Sequence, residues 1–180
     1  ILPALEPKLP VPVVYNCGGY EKVDTLRRLE GLVDVYLPDL KYLSADVAQR
    51  YSAAPDYPEV ATAAILEMFR QVGPVRFDEN GMLQSGMVVR HLVLPGAHKD
   101  SLRLLNWLAD NFSPEDIRLS LMSQYTPPAG IAIRELQRPI FTYEYRKACE
   151  RAEELGFLGY TQQRSSADAA YTPPFDGTGL

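Results

Sequence analysis

Residues 33–42 read VDVYLPDLKY, an apolar run of β-branched and aromatic side chains that closes on an acid and a base two positions apart. Side chains alternate along a strand, so Asp39 and Lys41 project to the same side. The carboxyl end of a buried parallel strand is where α/β folds place their chemistry, and there such a pair can position a charged ligand. Burying either charge unpaired is costly, so a plainer role as a structural ion pair capping the strand stands beside the functional one. Arg90 is a second charge of this kind. It interrupts MVVRHLVL (87–94) and shares one face with Val88, Leu92 and Leu94. A guanidinium cannot shed its charge, so on the inner face of a barrel it requires an anionic partner or a ligand carboxylate or phosphate. The alternative is a stem packed on the sheet with its head in water. His91 points the opposite way and reads as a packed histidine; His98, beside Lys99 and Asp100, reads as surface.

Two further strand ends are polar: Asn16 after 11–15, and Ser123 with Gln124 after 117–122. In a parallel sheet these ends converge on one edge, which gives a small-molecule site its few directed polar groups. Lys41 admits Schiff-base chemistry if desolvation lowers its pKa, but Asp39 so close favours the charged ammonium. Carboxylate binding therefore ranks above imine formation. Gly18 and Gly19 lack the GxGxxG spacing, and no HExxH, P-loop or GxSxG motif occurs. Cys17 has no adjacent histidine to activate it, and Cys17 with Cys149 makes neither a disulfide framework nor a metal site.

These residues need elements to carry them. A strand at 11–16, a helix over 21–30 stopped by Gly31, and the strand at 33–40 form a βαβ unit, which favours parallel pairing. Ser44 is placed to cap a helix to about residue 51, and 57–72 carries an amphipathic stripe through Ile65, Leu66, Met68, Phe69 and Val72. Residues 75–84 read as a small hairpin across Asn80-Gly81, outside the main sheet. The strand at 87–94 ends at Pro95-Gly96. A helix over 102–112, a strand at 117–122, a helix over 142–155 and a last strand at 158–162 follow. Leu104, Leu105 and Leu108 read as core, as does the face through Tyr145, Ala148, Ala152 and Leu155. The class is α/β, with at least four parallel strands.

The 180-residue chain has 46% hydrophobic and 23% charged residues, the balance of a globular protein with one substantial core, but it is short for a complete eight-unit barrel. A net charge of −5 with no Lys/Arg block argues against nucleic acid as a partner. Pro3, Pro7, Pro10 and Pro12 break up the apolar start, which resembles neither a membrane span nor a signal peptide. Two distant cysteines fit a reducing cytoplasm. The opening ILPALEPKLP reads as the last turn of a helix and a proline-rich connection, so the chain is expected to begin inside a domain.

The segments YNCGGYE, VYLPDLKY, VVRHLVLPG and SLMSQYTP, in that order, resemble the carboxyl-terminal portion of radical S-adenosylmethionine proteins similar to pyruvate formate-lyase activating enzyme. The likeness runs from residue 11 to the SSADAAYTPPFD tail, with 1–164 as the barrel portion and 165–180 as an extended tail. It implies a partial (β/α) barrel with its amino-terminal units missing. A [4Fe–4S] cluster and S-adenosylmethionine would sit at the carboxyl ends of the strands, and reductive cleavage would yield a 5′-deoxyadenosyl radical. In activating enzymes that radical abstracts hydrogen from a glycine of a partner protein, so a protein substrate is an implied partner. By the same likeness Asn16, Asp39, Lys41, Arg90 and Gln124 would bind S-adenosylmethionine, a lysine and an arginine suiting its carboxylate. Where activating enzymes carry an acid, Asn16 is a departure.

The family's CxxxCxxC loop is not in this sequence, so the chain is expected to hold no metal and to be catalytically inert by itself; a barrel missing its first strands exposes a sheet edge, so the chain is also expected to be marginally stable or to self-associate there. Two other readings compete: a lysine-dependent barrel lyase or aldolase working through Lys41, and a non-catalytic α/β binding module in which Asp39, Lys41 and Arg90 form a structural charge network.

Overall fold

The computed structural model describes residues 9–161. Its elements in chain order are β1 (Val14–Cys17), α1 (Val23–Arg27), β2 (Val35–Pro38), α2 (Ala45–Ser52), α3 (Tyr57–Val72), β3 (Arg76–Phe77), β4 (Leu83–Leu92), α4 (His98–Asn111), β5 (Arg118–Met122), a 3₁₀ turn (Arg134–Gln137), α5 (Thr142–Glu154) and β6 (Gly159–Thr161). Five strands pair in parallel in the order β1-β2-β4-β5-β6, and β3 adds antiparallel to β4.

Parallel neighbours that are also neighbours in the chain require a crossover each, and right-handed crossovers between sequential strands put their helices on one face. The core bears this out. Tyr36, Met87, Val89, Leu119 and Leu121 from one face of the sheet form a single cluster with Ile65 and Met68 of α3, Leu104, Leu105 and Leu108 of α4, and Ala148 and Ala152 of α5. All three α4 leucines are fully buried, and truncating any one to alanine is expected to cost about 2–5 kcal/mol. The opposite face carries Leu37, Asp39, Arg90, Leu92, Ser120 and Met122, all only partly buried, beyond the buried Val35 and Val88 nearer the strand starts. An open parallel sheet with helices on one side and mixed polar residues on the other is consistent with a partial (β/α) barrel. Among the described residues no helix is long and apolar enough to cross a membrane.

Several expectations are corrected. Residues 75–84 do turn back on themselves, but their second arm is the start of β4, so the hairpin grows out of the central sheet. Gly86 allows this crossing: a Cβ there would lie 2.6 Å from the Val75 Cα, and its φ of +121° disfavours side chains. The first helix is five residues long instead of spanning 21–30, because the amides of Leu29 and Leu32 reach only three residues back, to Leu26 and Leu29. The fourth helix starts a turn earlier than residue 102, with the Asp100 and Ser101 amides bonding the Ala97 carbonyl. His98 is half-buried, not surface, its ring edge-on to Tyr143 with centroids 5.9 Å apart. The helical turn read in residues 1–8, the last residue of the final strand and the tail lie outside the described residues.

Candidate functional site

The parallel register fixes which strand-end groups share a face. Asp39 forms an isolated parallel bridge with Arg90, and Arg90 pairs with Ser120, so β2, β4 and β5 present these side chains to the same side. Beyond them lies a cavity of about 420 Å³, within the size range of small-molecule sites. Its polar lining is Asp39, Lys41, Arg90 and Gln124; Tyr42, Tyr51 and Tyr125 supply an aromatic wall, and Leu92, Leu94, Met122, Ile131 and Leu136 an apolar one.

Asp39 stands between two cations. Its Oδ1 is 2.6 Å from Arg90 Nη2 and its Oδ2 is 3.8 Å from Lys41 Nζ. The shorter contact is an ion pair without hydrogen-bond alignment: both Asp39 Oδ1 and Arg90 Nε are removed from water and have no hydrogen-bond partner among the described residues. Two cations against one carboxylate leave the corner with one positive charge in excess. A buried donor with nothing to give to is costly, so Arg90 carries an unsatisfied N–H on its covered side while the residue itself lines the cavity. Lys41 is half exposed and lines the cavity.

The segment from Gln124 to Gln137 borders the cavity and is tied down at its far end. Tyr125 donates to the Leu136 carbonyl at 2.8 Å, and Glu135 accepts from Arg50 at 2.9 Å and from Tyr51 at 3.2 Å. Burial and the neighbouring Glu135 carboxylate push the Tyr51 phenol up to about 12. Behind the sheet, Glu144 locks the turn after β4. It accepts from the Gly96 amide at 2.7 Å, from the Phe141 amide at 2.9 Å and twice from Arg138. Burial alone would raise its carboxyl, but Arg138 and the two amides outweigh that and bring it down to about 2.

Four of the five predicted residues, Asp39, Lys41, Arg90 and Gln124, are brought together. Asn16 is not. It pairs with Leu37, one step before Asp39 on the same face, and stays exposed on the edge strand without lining the cavity. His91 is a packed histidine. Its Nδ1 lies 2.7 Å from the Leu40 carbonyl, which can only accept, so Nδ1 carries the proton and Nε2 accepts from the Ser101 hydroxyl at 2.8 Å. Burial pushes the Cys17 thiol up to about 12, away from the thiolate form a nucleophile needs. The aromatic wall was missed by sequence reasoning, and only the adjacency of Tyr42 to Lys41 and of Tyr125 to Gln124 could have pointed to it.

No family model matches the chain. Over 147 residues it is 25% identical to the uncharacterized protein MJ0674 of Methanocaldococcus jannaschii, an alignment that covers 80% of this chain and 38% of that protein. The chain thus spans less than two fifths of that relative's length. Among solved structures, a domain of pyruvate-formate lyase-activating enzyme from Bacteroides vulgatus matches with a TM-score of 0.49 and 15% identity, covering 78% of this chain and 73% of that one.

Proposed function

We propose that this chain is the S-adenosylmethionine-holding portion of a radical S-adenosylmethionine protein similar to pyruvate formate-lyase activating enzyme. The observation that carries the reading is the Asp39–Lys41–Arg90 corner opening on a partly aromatic cavity, built from the same segments whose order carries the family likeness. Lys41 and Arg90, the two cations in the cavity lining, suit the ligand's carboxylate, Asp39 suits its ammonium, and Gln124 closes the polar side. Tyr42, Tyr51 and Tyr125 offer flat apolar surface to the rest of the molecule. Asn16, exposed one register step away, joins the set only through a ligand that extends past the cavity. When bound and reductively cleaved, S-adenosylmethionine supplies a carbon-centred radical; this chain's own part is to bind it, orient it and exclude water.

A [4Fe–4S] cluster does not fit the residues present. Clusters of this kind take several thiolate ligands, and the chain has only two cysteines, one on β1 and one on α5. The whole protein's radical chemistry, its protein substrate and a cytoplasmic setting belong to the same proposal. Imine chemistry is less well served, since Lys41 Nζ is half exposed and lies beside a carboxylate instead of in a desolvated pocket.

Equilibrium dialysis with S-adenosylmethionine tests the reading. Saturable binding of one ligand per chain is expected, and Arg90→Met should weaken it by about tenfold or more, the worth of a lost charge-assisted contact. Absence of saturable binding, with borohydride trapping a carbonyl compound on Lys41, would replace it with the lyase reading.

A further inference from the structure

The hydroxyl of Tyr57 stands where the loops after β1 and β2 meet. It accepts the Lys41 amide at 3.0 Å and faces the carbonyl oxygens of Asp39 and Gly18, each at 3.0 Å. A phenol has one proton to give, so the two carbonyls share it. The Asp39 carbonyl and the Lys41 amide belong to the two peptide planes that flank Leu40. The other polar groups of those planes are also engaged: the Leu40 amide donates to the Arg90 carbonyl at 2.9 Å, and the Leu40 carbonyl accepts from His91. Both planes are therefore held at both ends, and one phenol supplies half of the ties.

Tyr57 is well placed to hold still. It is the first residue of α3 and is 4% exposed. Its ring stacks on Tyr20 at 5.6 Å and meets the edge of Tyr42, a cavity wall residue, at 5.6 Å. Gly19 lets the two loops approach this closely: a Cβ there would fall 2.1 Å from the Asp39 carbonyl oxygen, at a φ of +79°.

We infer that Tyr57 is a positioning residue for the ligand: by fixing the planes on either side of Leu40 it sets the relative aim of the Asp39 and Lys41 side chains. The inference rests on the S-adenosylmethionine reading for the identity of the ligand, but its geometric core does not. Side chains held in one arrangement bind without the ordering cost that loose ones incur, and small misplacements at a polar site are expensive.

Tyr57→Phe removes the hydroxyl and keeps the ring. The matched control is Tyr36→Phe, which also removes a hydroxyl from a buried ring, here one bonded to Gln71 on the helix-covered face. By equilibrium dialysis, Tyr57→Phe should weaken S-adenosylmethionine binding about tenfold, as expected for loss of preorganisation. The loss should be smaller for decarboxylated S-adenosylmethionine, and Tyr36→Phe should leave affinity unchanged. A ligand-free arm stands alone: in ¹⁵N spectra Tyr57→Phe should speed exchange of the Lys41 amide and move the Arg90 Nε resonance, and Tyr36→Phe should do neither. Wild-type exchange, resonance and affinity in Tyr57→Phe would overturn the inference. If the wild-type chain binds no S-adenosylmethionine, the ligand reading falls, and the ligand-free arm still decides whether Tyr57 positions the site.

Discussion

Asp39 and Arg90 meet twice, once as a parallel backbone bridge and once through side chains 2.6 Å apart. Because the backbone pairing holds the two strand ends together, the side-chain pair is not needed to join β2 to β4. Its consequence falls on the cavity. Each side chain is about a quarter exposed, so the pair is only partly screened. Arg90→Met should destabilise the chain by about 1–2 kcal/mol, between the values for exposed and buried pairs, with the loss read from urea unfolding. Asp39→Asn should cost at least as much stability, because it leaves two neighbouring cations, Arg90 and Lys41, without the carboxylate they share, whereas Arg90→Met leaves Asp39 beside Lys41. A double-mutant cycle should show coupling between the two, whereas strict additivity would mean the contact carries no energy.

Glu144 makes acid stability measurable at a single residue. Its carboxyl is brought from an ordinary 4.5 down to about 2 in the folded chain, so folding favours the ionised form. The stabilisation is therefore complete above pH 4.5 and is lost as pH falls from there toward 2. Glu144→Gln should unfold at lower urea at pH 7, by about 2–4 kcal/mol for a buried group with an arginine and two amides on it, and should show a flatter acid limb. Glu67, also brought down to about 2 by Arg70 and Gln71, contributes to the same limb and will remain in the variant.

His91 acts over a higher pH range. Burial lowers its pKa from 6.5, so the folded chain prefers the neutral ring. The unfolded chain takes up the proton first, and stability should fall as pH drops below 6.5. His91→Gln should be weaker at pH 8, through two buried hydrogen bonds poorly remade, yet should lose the slope below 6.5. Urea midpoints at pH 8, 7, 6 and 5.5 distinguish the two effects.

Much of this was legible in the sequence because the elements announce themselves locally. A charge at the end of VDVYLPDLKY and one inside MVVRHLVL stand out against apolar neighbours, and strand alternation alone puts Asp39, Lys41 and Arg90 on defined faces. What sequence could not show depends on partners far along the chain. Tyr57 reaches back 39 residues to Gly18, and Tyr51 reaches 84 residues to Glu135, contacts that no local pattern encodes. Convergence of strand ends at one edge of a parallel sheet groups Asn16 with the site. The register shows why it falls short: β1 pairs Asn16 with Leu37, one step before the charged corner. In sequence the hairpin at 75–84 stands apart because its Asn-Gly turn is a strong local signal, while Gly86 hides the continuity of its second arm with β4.

If Lys41 and Arg90 hold a ligand carboxylate at the strand ends, removing that carboxylate from the ligand must abolish their contribution to binding. Isothermal titration should be run with S-adenosylmethionine and with its decarboxylated form, on the wild-type chain and on Lys41→Met/Arg90→Met. The wild type should prefer the carboxylate-bearing ligand by about tenfold or more, and the double variant should bind both equally. Equal affinity in the wild type, or a preference that survives in the double variant, would contradict that role for Lys41 and Arg90.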